Sequence, residues 1–169
     1  MLKNKWIMLL TSVFISFAAA YAADTTDMKT DQTLHIDIPV KLEKANVVFN
    51  IDHLAKMGDL PYPIAHLDIL NNDFKDWSVK GQIIAIFHSD AGYVMLDDNA
   101  YNIARNVKTG NPYKALLVNL MNQGVKIELC GATAKANKWI NAYLIPGVKV
   151  NTNAMVRLIQ LSQEGYVQL

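Results

Sequence analysis

The spacing of apolar and polar residues changes several times along the chain, and these changes predict an alternation of strands and helices. Apolar side chains alternate with polar ones over residues 34–42, which is the period of a half-buried strand. Pro39 inside this segment favours an edge strand or an arm on another subunit. Residues 45–51 predict the first core strand. The continuously apolar run 82–87 predicts a parallel strand covered on both faces, and residues 125–129 predict a further strand.

Apolar residues at helical spacing separate these strands. A stripe of apolar residues follows Pro61 and Pro63 and predicts a first helix, since proline is tolerated in the first helical turn. Asn111 and Pro112 predict the N-cap and first residue of another helix, and Gly124 predicts its left-handed C-cap. Further helices are predicted at 97–106, from Thr133 to Trp139 and at 151–163, and short strands at 147–150 and 166–167.

This alternation predicts the fold class. Strands that alternate with helices favour an α/β protein with a mostly parallel sheet and helices on both faces. We expect a single three-layer domain over residues 34–169 with a sheet of about five strands. The segment 34–42 is the expected N-terminal edge strand or arm. The sequence shows no internal repeat and no linker that would divide this domain.

The N-terminal residues predict export. Two lysines precede an apolar run over residues 6–20, and Ala20-Tyr21-Ala22 fits the small-x-small pattern of a cleavage site. The run is shorter than the roughly 20 residues of a membrane span. The sequence therefore predicts a signal peptide over residues 1–22, cleaved after Ala22, and a periplasmic protein. The alternative is an uncleaved N-terminal anchor. The polar segment 23–33 that follows is predicted to be disordered.

Composition excludes several function classes. The chain has 169 residues with 16 Lys and Arg and 15 Asp and Glu; without the two lysines of the predicted signal, the charge is 14 − 15 = −1. A near-neutral domain lacks the basic footprint of nucleic-acid binding, and no basic cluster indicates a membrane surface. One cysteine cannot form a disulfide scaffold. In an oxidising compartment a lone thiol is buried and inert, paired between chains, or functional.

Two reactive side chains follow predicted strands. His88 comes directly after 82–87 and Cys130 after 125–129, so parallel strands would place both at the carboxyl edge of the sheet, where α/β proteins bind ligands. Cys130 also precedes a helix, with Gly131 next and Thr133 as its expected N-cap. Helix N–H groups would favour a thiolate, and equally a persulfide or a small bound anion. The alternative is that Cys130 is a small apolar core residue.

The remaining motifs are weaker. His88 is predicted either to act as a base or hydrogen-bond partner for Cys130 or only to cap a loop. The other histidines lack the His-x-x-x-His spacing of a zinc site, so we predict no metal. No glycine-rich phosphate loop is present, and no cofactor is predicted. No Cys-x-x-Cys motif is present, which excludes a dithiol cycle within one chain.

Residues 124–133 and 157–166 resemble the strand–cysteine–helix segment and the C-terminal helix of the DsrE/DsrF-like family. Asn71-Asn72 is similar to an asparagine-rich point in some members, and His88 falls where many members have His-Gly, although Ser89 replaces that glycine here. The resemblance implies Cys130 as the sulfur-bearing residue, with His88 and Asn71 as its neighbours. It also implies a homo-oligomer, as a trimer or hexamer. Some members carry sulfur as a cysteine persulfide, whereas many have no assigned activity.

Three functions remain open. The first is a sulfur-handling protein, a persulfide carrier or at most a sulfurtransferase-like enzyme, that exchanges sulfur with a donor or acceptor protein through an accessible Cys130 thiolate. The second is a non-enzymatic oligomeric module that binds a small anion or a partner. The third is a redox-sensing thiol that forms a sulfenic acid or an intermolecular disulfide.

Overall fold

The computed structural model describes residues 33–58 and 60–169. The predicted signal peptide, its cleavage site and nearly all of segment 23–33 lie outside the described residues. The chain divides into two units at Pro39 and Val40. Every helix and strand reported below lies in the second unit, Val40–Leu169.

The segment 34–42 forms no strand in the structure, so the prediction of an edge strand within the single chain is wrong. Its apolar side chains are exposed, with Leu34 at 87% and Ile38 at 80%. Burial therefore does not offset the entropy of ordering a strand, and Pro39 has no N–H to donate to a ladder. The alternative, an arm on another subunit, stays a prediction.

Five parallel strands form the central sheet, as the sequence predicts. They are β1 (Lys44–Ile51), β4 (Lys80–Phe87), β5 (Lys126–Cys130), β6 (Lys149–Asn151) and β7 (Val167–Gln168). Their order in the sheet is β6-β5-β4-β1-β7, and every neighbouring pair is parallel. A separate antiparallel pair consists of β2 (Lys56–Met57) and β3 (Leu60–Pro61).

Five α-helices and two 3₁₀ helices connect these strands within the described residues. The α-helices are α1 (Tyr62–Asp76), α2 (Asp98–Arg105), α3 (Lys114–Asn122), α4 (Gly131–Ala136) and α5 (Ala154–Gln163), and the 3₁₀ helices are Ser89–Met95 and Asn141–Tyr143. Helix α2 follows its sequence signals closely, since the Asp97 side chain caps it by accepting from the Ala100 N–H at 2.7 Å.

Two predicted helix starts differ from the structure. Helix α3 begins at Lys114, three residues after Asn111, because the Asn111 side chain accepts from the Tyr113 N–H and donates to two carbonyls of the preceding segment. Such local hydrogen bonds between an asparagine side chain and the backbone compete with helix formation. Helix α4 begins at Gly131, so Cys130 is its N-cap residue and Thr133 lies inside the helix.

Helices cover both faces of the sheet. The larger apolar cluster includes Phe87 and Leu129 from the strands with Leu67 of α1 and Leu117 of α3. A smaller cluster on the other face contains residues of β1, β4 and β5 together with α5: Val48, Ile84, Ile86, Cys130, Ala154 and Leu161. Burial on both faces explains why β4 is apolar at consecutive positions.

The parallel register places the strand ends at one edge. Phe87 of β4 pairs with Leu129 of β5, and Cys130 pairs with Asn151 of β6. His88 and Cys130 therefore both lie at the carboxyl edge of the sheet, as predicted. Among residues 33–58 and 60–169, no helix is long and apolar enough to cross a membrane.

Candidate functional site

Cys130 is the last residue of β5 and the N-cap residue of α4. Its side chain points to the face that α5 covers, and only 4% of the residue is exposed. The structure thus buries the thiol that the sulfur-handling hypothesis expects to be accessible. Ala154 and Leu161 of α5 pack in the same apolar cluster as Cys130.

Several hydrogen-bond donors surround the Cys130 sulfur. The Ala154 N–H, at the start of α5, donates to Sγ at 3.2 Å. Burial raises the pKa of the Cys130 thiol, but the N–H groups of Thr133, Ala154 and Ala132 and the Thr133 hydroxyl lower it by more. The pKa therefore lies below its ordinary value, since hydrogen bonds to a thiolate favour the charged form. The sulfur is thus buried, and its surroundings nevertheless favour the thiolate.

Gly131 allows this arrangement by its small size. A Cβ at this position would lie 2.5 Å from the Asn151 carbonyl oxygen and 3.0 Å from that of Thr152. Only glycine lets the backbone that leads into α5 approach the start of α4 so closely. The close approach brings the Ala154 N–H to the sulfur. The structure therefore gives Gly131 a steric role beside the predicted anion-binding one.

Thr133 connects helix α4 to the loop after β4. Its Oγ1 accepts a hydrogen bond from the Ser89 N–H at 3.0 Å, and its N–H and hydroxyl lower the pKa of the Cys130 thiol. Ser89 has a φ of 49°, in the left-handed region that favours glycine. Ser89 replaces the glycine that many members of the family resembled by this sequence have at this position. It keeps a backbone conformation that glycine adopts without strain.

His88 lies at the same edge but bonds other groups. Its Nε2 contacts Asn50 Oδ1 at 2.8 Å, and its Nδ1 contacts Ser89 Oγ at 3.0 Å. In the described part of the chain, no hydrogen bond joins the imidazole to Cys130. Since both ring nitrogens have protein partners, the arrangement favours the prediction that His88 organises the loop over the prediction that it is a base for Cys130.

Asn71 does not meet Cys130. It is buried on α1, and its Nδ2 donates to Gln123 Oε1 after α3. Asn71 lines a small cleft with Gly81 and Val125, at the amino ends of β4 and β5. Cys130 ends the five-residue strand β5, roughly 13 Å along it at 3.3 Å per residue. Asn71 therefore belongs to the opposite edge of the sheet.

A buried ion pair between Glu128 and Arg157, which the sequence did not predict, lies beside the site. Glu128 lies on the same face of β5 as Cys130, is 7% exposed, and accepts from Arg157 Nη2 at 2.9 Å. Asn151 Nδ2 also donates to Glu128, at 3.0 Å. These contacts fix α5, and with it the Ala154 N–H, against β5. Arg157 lies 29 residues after Glu128 in the chain, so no local pattern in the sequence indicates this pair.

A cleft of about 1280 Å³ opens at the carboxyl edge of the sheet. Thr133 and Ser89 line it, together with the aromatic side chains of Tyr93, Trp139 and Tyr143. Thr133 is thus a cleft-lining residue that also lowers the pKa of the Cys130 thiol. The cleft is large enough for a small organic ligand, since such sites measure about 300–1000 Å³.

Two solved structures are similar to the chain. A protein of unknown function, MTH1491 from Methanobacterium thermoautotrophicum, is 21% identical with a TM-score of 0.58, covering 74% of this chain and 97% of that chain. The YchN protein from E. coli is 20% identical with a TM-score of 0.48, covering 75% of this chain and 96% of that one. The similarity to MTH1491 supports the fold alone. No protein with curated annotation matches the chain.

The family comparison covers most of the chain. The model of the DsrE/DsrF-like family matches residues 13–169. The matched range includes all five parallel strands and Cys130. The chain therefore belongs to the DsrE/DsrF-like family.

Proposed function

We propose that the protein carries sulfur on Cys130, taking it up from a sulfane donor and passing it to an acceptor thiol. The observation that carries the proposal is the hydrogen bond from the Ala154 N–H to Cys130 Sγ, at 3.2 Å. Together with the donors at the start of α4 it lowers the thiol pKa despite burial. Membership of the DsrE/DsrF-like family supports the same class of function.

Loading is a thiol exchange reaction. The Cys130 thiolate attacks a sulfane sulfur of an inorganic disulfide anion, HS–S⁻. A bond forms between Sγ and that sulfur, the donor's S–S bond breaks, and HS⁻ leaves with the electron pair. Cys130 becomes a persulfide anion, so charge and sulfur atoms balance. The N–H groups that stabilise the thiolate are suited to the persulfide anion as well.

The burial of Cys130 favours small donors. With 4% of the residue exposed, an inorganic polysulfide reaches the sulfur more easily than a protein thiol does. Thr133 lines the cleft and lowers the thiol pKa, and its hydrogen-bond partner Ser89 is exposed. We expect the Ser89–Thr133 contact to open when a donor reaches Cys130.

Mass spectrometry of the intact protein tests the proposal. Incubation with sodium disulfide is expected to add about 32 Da, one sulfur atom, to the wild-type protein. The Cys130→Ser protein is expected to gain nothing. Cyanide, which removes sulfane sulfur, should reverse the gain. A Cys130→Ser protein that gains the same mass at one site, or a wild-type protein that gains none, overturns the proposal.

The buried position of Cys130 also favours a second candidate, a binding module in which the cysteine only shapes a small-anion site. The start of α5 would then supply the N–H groups. Calorimetric titration with sulfite distinguishes the two. A module is expected to bind sulfite equally well as wild type and as Cys130→Ser. Loss of binding in the variant contradicts the module.

Export and self-association are part of the same proposal. The first residue of the protein recovered from its producing cells tests export, with Ala23 expected and Met1 contradicting it.

Exposed apolar residues on 34–42 and on α5, including Met155 and Ile159, support a homo-oligomer. Light scattering is expected to give the mass of a trimer or hexamer, and a monomer mass contradicts it.

A further inference from the structure

The cleft at the carboxyl edge of the sheet combines aromatic and cationic side chains from three segments. The 3₁₀ helix after β4 contributes Tyr93, helix α2 contributes Arg105, and the segment after α4 contributes Lys138, Trp139 and Tyr143. The sulfur chemistry proposed above uses none of these side chains. Their combination is typical of a site for a small organic ligand, which needs apolar walls and a few polar groups to orient it.

The aromatic side chains are held around the same 3₁₀ helix. Trp139 packs against the backbone at Gly92, where an added Cβ would lie 3.3 Å from Trp139 Cζ3. Tyr93 follows Gly92 directly and is half-buried. The Asp97 N–H donates to the Tyr143 carbonyl at 2.8 Å, which joins the Tyr143 segment to the chain that follows this helix. Aromatic rings in such a cleft offer flat apolar surface to a planar ligand.

The guanidinium of Arg105 is oriented by stacking. Its Cζ lies 4.3 Å from the centre of the Tyr93 ring, which is a cation–π contact. Stacking uses the face of the guanidinium, so the N–H groups at its edge stay available for two parallel hydrogen bonds to a carboxylate. Within residues 33–58 and 60–169, no ion pair involves Arg105 or Lys138. The cleft therefore has two cations without a carboxylate partner in the described chain.

The carboxylates at the cleft do not cancel this charge. Asp97 Oδ1 accepts from the Ala100 N–H at 2.7 Å as the N-cap of α2, so the positive end of the helix dipole compensates it. His53, which also lines the cleft, is hydrogen-bonded to the Asp52 carboxylate. Asp90 is then the remaining carboxylate of the lining, against two cations. This balance favours a ligand with a single negative charge.

Backbone strain occurs at the same cleft. Ser89 has a φ of 49° and Lys138 a φ of 58°, in the left-handed region that side chains other than glycine adopt at a cost in free energy. Lys138 follows Asn137, the C-cap residue of α4, at the position where helices commonly have glycine. Strained residues cluster at ligand sites. A lysine at a position suited to glycine supports a function for its charge.

We propose that this cleft binds a planar aromatic carboxylate. The ring lies among Tyr93, Trp139 and Tyr143, and the carboxylate accepts hydrogen bonds from the guanidinium of Arg105. Lys138 adds positive charge at the same cleft. The volume of about 1280 Å³ leaves room for a ligand with one or two rings. Binding of this kind involves no covalent step and does not depend on the sulfur chemistry.

Calorimetric titration of the full-length protein with three probes tests the proposal. The probe β-naphthoate has a planar ring system and a carboxylate, β-naphthamide has the rings without the charge, and cyclohexanecarboxylate has the charge without a planar ring. We expect β-naphthoate to bind, and the other two to bind about tenfold more weakly or less, since each lacks one of the two contacts.

Variants separate the contributions of charge and ring. Arg105→Gln should weaken β-naphthoate binding about fivefold, the size of a partly exposed ion pair, and should leave β-naphthamide binding unchanged. Tyr143→Leu should weaken the binding of both. Lys138→Gly should weaken β-naphthoate binding without lowering the melting temperature, because glycine relieves the left-handed backbone. Lys135→Gln, an exposed lysine of α4 that does not line the cleft, is the matched control and should bind as wild type.

A wild-type protein that binds no β-naphthoate overturns the inference. Equal affinities for β-naphthoate and cyclohexanecarboxylate also overturn it, because the aromatic walls then recognise nothing. So does an Arg105→Gln protein with wild-type affinity for β-naphthoate. Cys130→Ser should bind β-naphthoate as wild type does, because Cys130 does not line the cleft. Failure of Cys130 to take up sulfur therefore contradicts the proposed function and leaves this inference standing.

Discussion

The N–H of Ala154 donates a hydrogen bond to the sulfur of Cys130 although 24 residues separate them in the chain. The contact joins the start of α5 to the end of β5. It exists because β6 pairs with β5 in parallel register, Cys130 opposite Asn151, and because Gly131 lets the following backbone approach. A long-range contact thus helps to lower the pKa of the thiol, and each part of it can be altered separately.

The first prediction concerns ionisation of Cys130. The pKa of the folded thiol lies below the ordinary value of 9.0, so titration by thiolate ultraviolet absorbance should show a midpoint below that of the denatured protein. Cys130 is the one cysteine of the chain, and Cys130→Ser supplies the baseline. A folded midpoint at or above the denatured one contradicts the prediction.

The second prediction follows from linkage. A thiol whose pKa is lowered on folding contributes stability that is present above its unfolded pKa and is lost as pH falls through its folded pKa. The urea-unfolding free energy of wild type minus that of Cys130→Ser should therefore rise as pH increases towards the ordinary thiol pKa of 9.0. The comparison with Cys130→Ser removes the contribution of all other titrating groups. A flat or falling difference contradicts the assignment.

The third prediction concerns Gly131. A methyl group there would lie 2.5 Å from the Asn151 oxygen, so Gly131→Ala must displace the backbone before α5. We expect a loss of about 1–3 kcal/mol in unfolding free energy, the usual cost of overpacking, and a higher thiol pKa as the Ala154 N–H withdraws. Ala132→Ser, at the exposed neighbouring position, is the control and should change neither quantity appreciably. A Gly131→Ala protein with wild-type stability and thiol pKa contradicts the steric role.

The fourth prediction concerns the hydroxyl of Thr133. Thr133→Val removes the acceptor for the Ser89 N–H and the hydroxyl that helps to lower the pKa of the Cys130 thiol. The thiol pKa should rise, and stability should fall by about 1 kcal/mol, as for one lost hydrogen bond. Thr133→Ser keeps the hydroxyl and should retain the low pKa, although it loses the methyl group near Gly92. Equal pKa values in the two variants exclude a part for the hydroxyl.

Local patterns in the sequence predict most of the fold, because they report directly on secondary structure. The apolar run of β4, the Asp97 cap of α2 and the glycine after α3 each carry their own signal. By contrast, the alternation of apolar and polar residues over 34–42 predicts a strand that the structure does not contain. Apolar alternation shows that a segment suits a half-buried strand, but a strand also needs a neighbour with free N–H and C=O groups.

The candidate site is only partly predictable from the sequence. A cysteine that follows a strand and precedes a helix identifies Cys130 and its edge of the sheet. The sequence leaves open whether Cys130 is buried or accessible, since this depends on how α5 lies on the sheet. The same holds for Asn71, which a resemblance placed near Cys130 and the structure places at the opposite edge.

The last prediction concerns the ion pair that holds α5 in place. The guanidinium of Arg157 contacts both oxygens of Glu128 through Nε, at 3.1 and 3.2 Å, and one through Nη2 at 2.9 Å. The side chains are 23% and 9% exposed, so removing one partner leaves the other poorly solvated. Glu128→Ala should cost about 3 kcal/mol in unfolding free energy, at the lower end for a broken buried pair.

The pKa of the Cys130 thiol is a second quantity by which this prediction can be tested. Because the pair fixes the helix that begins at Ala154, Glu128→Ala should also raise the thiol pKa, although Glu128 does not itself bond the sulfur. Lys149→Ala, which removes a charge from the exposed residue paired with Glu128 across the sheet, is the matched control and should leave the thiol pKa unchanged. If Glu128→Ala destabilises the protein but the folded thiol titrates as in wild type, the Ala154 N–H is held at the sulfur by the backbone around Gly131 and not by the ion pair.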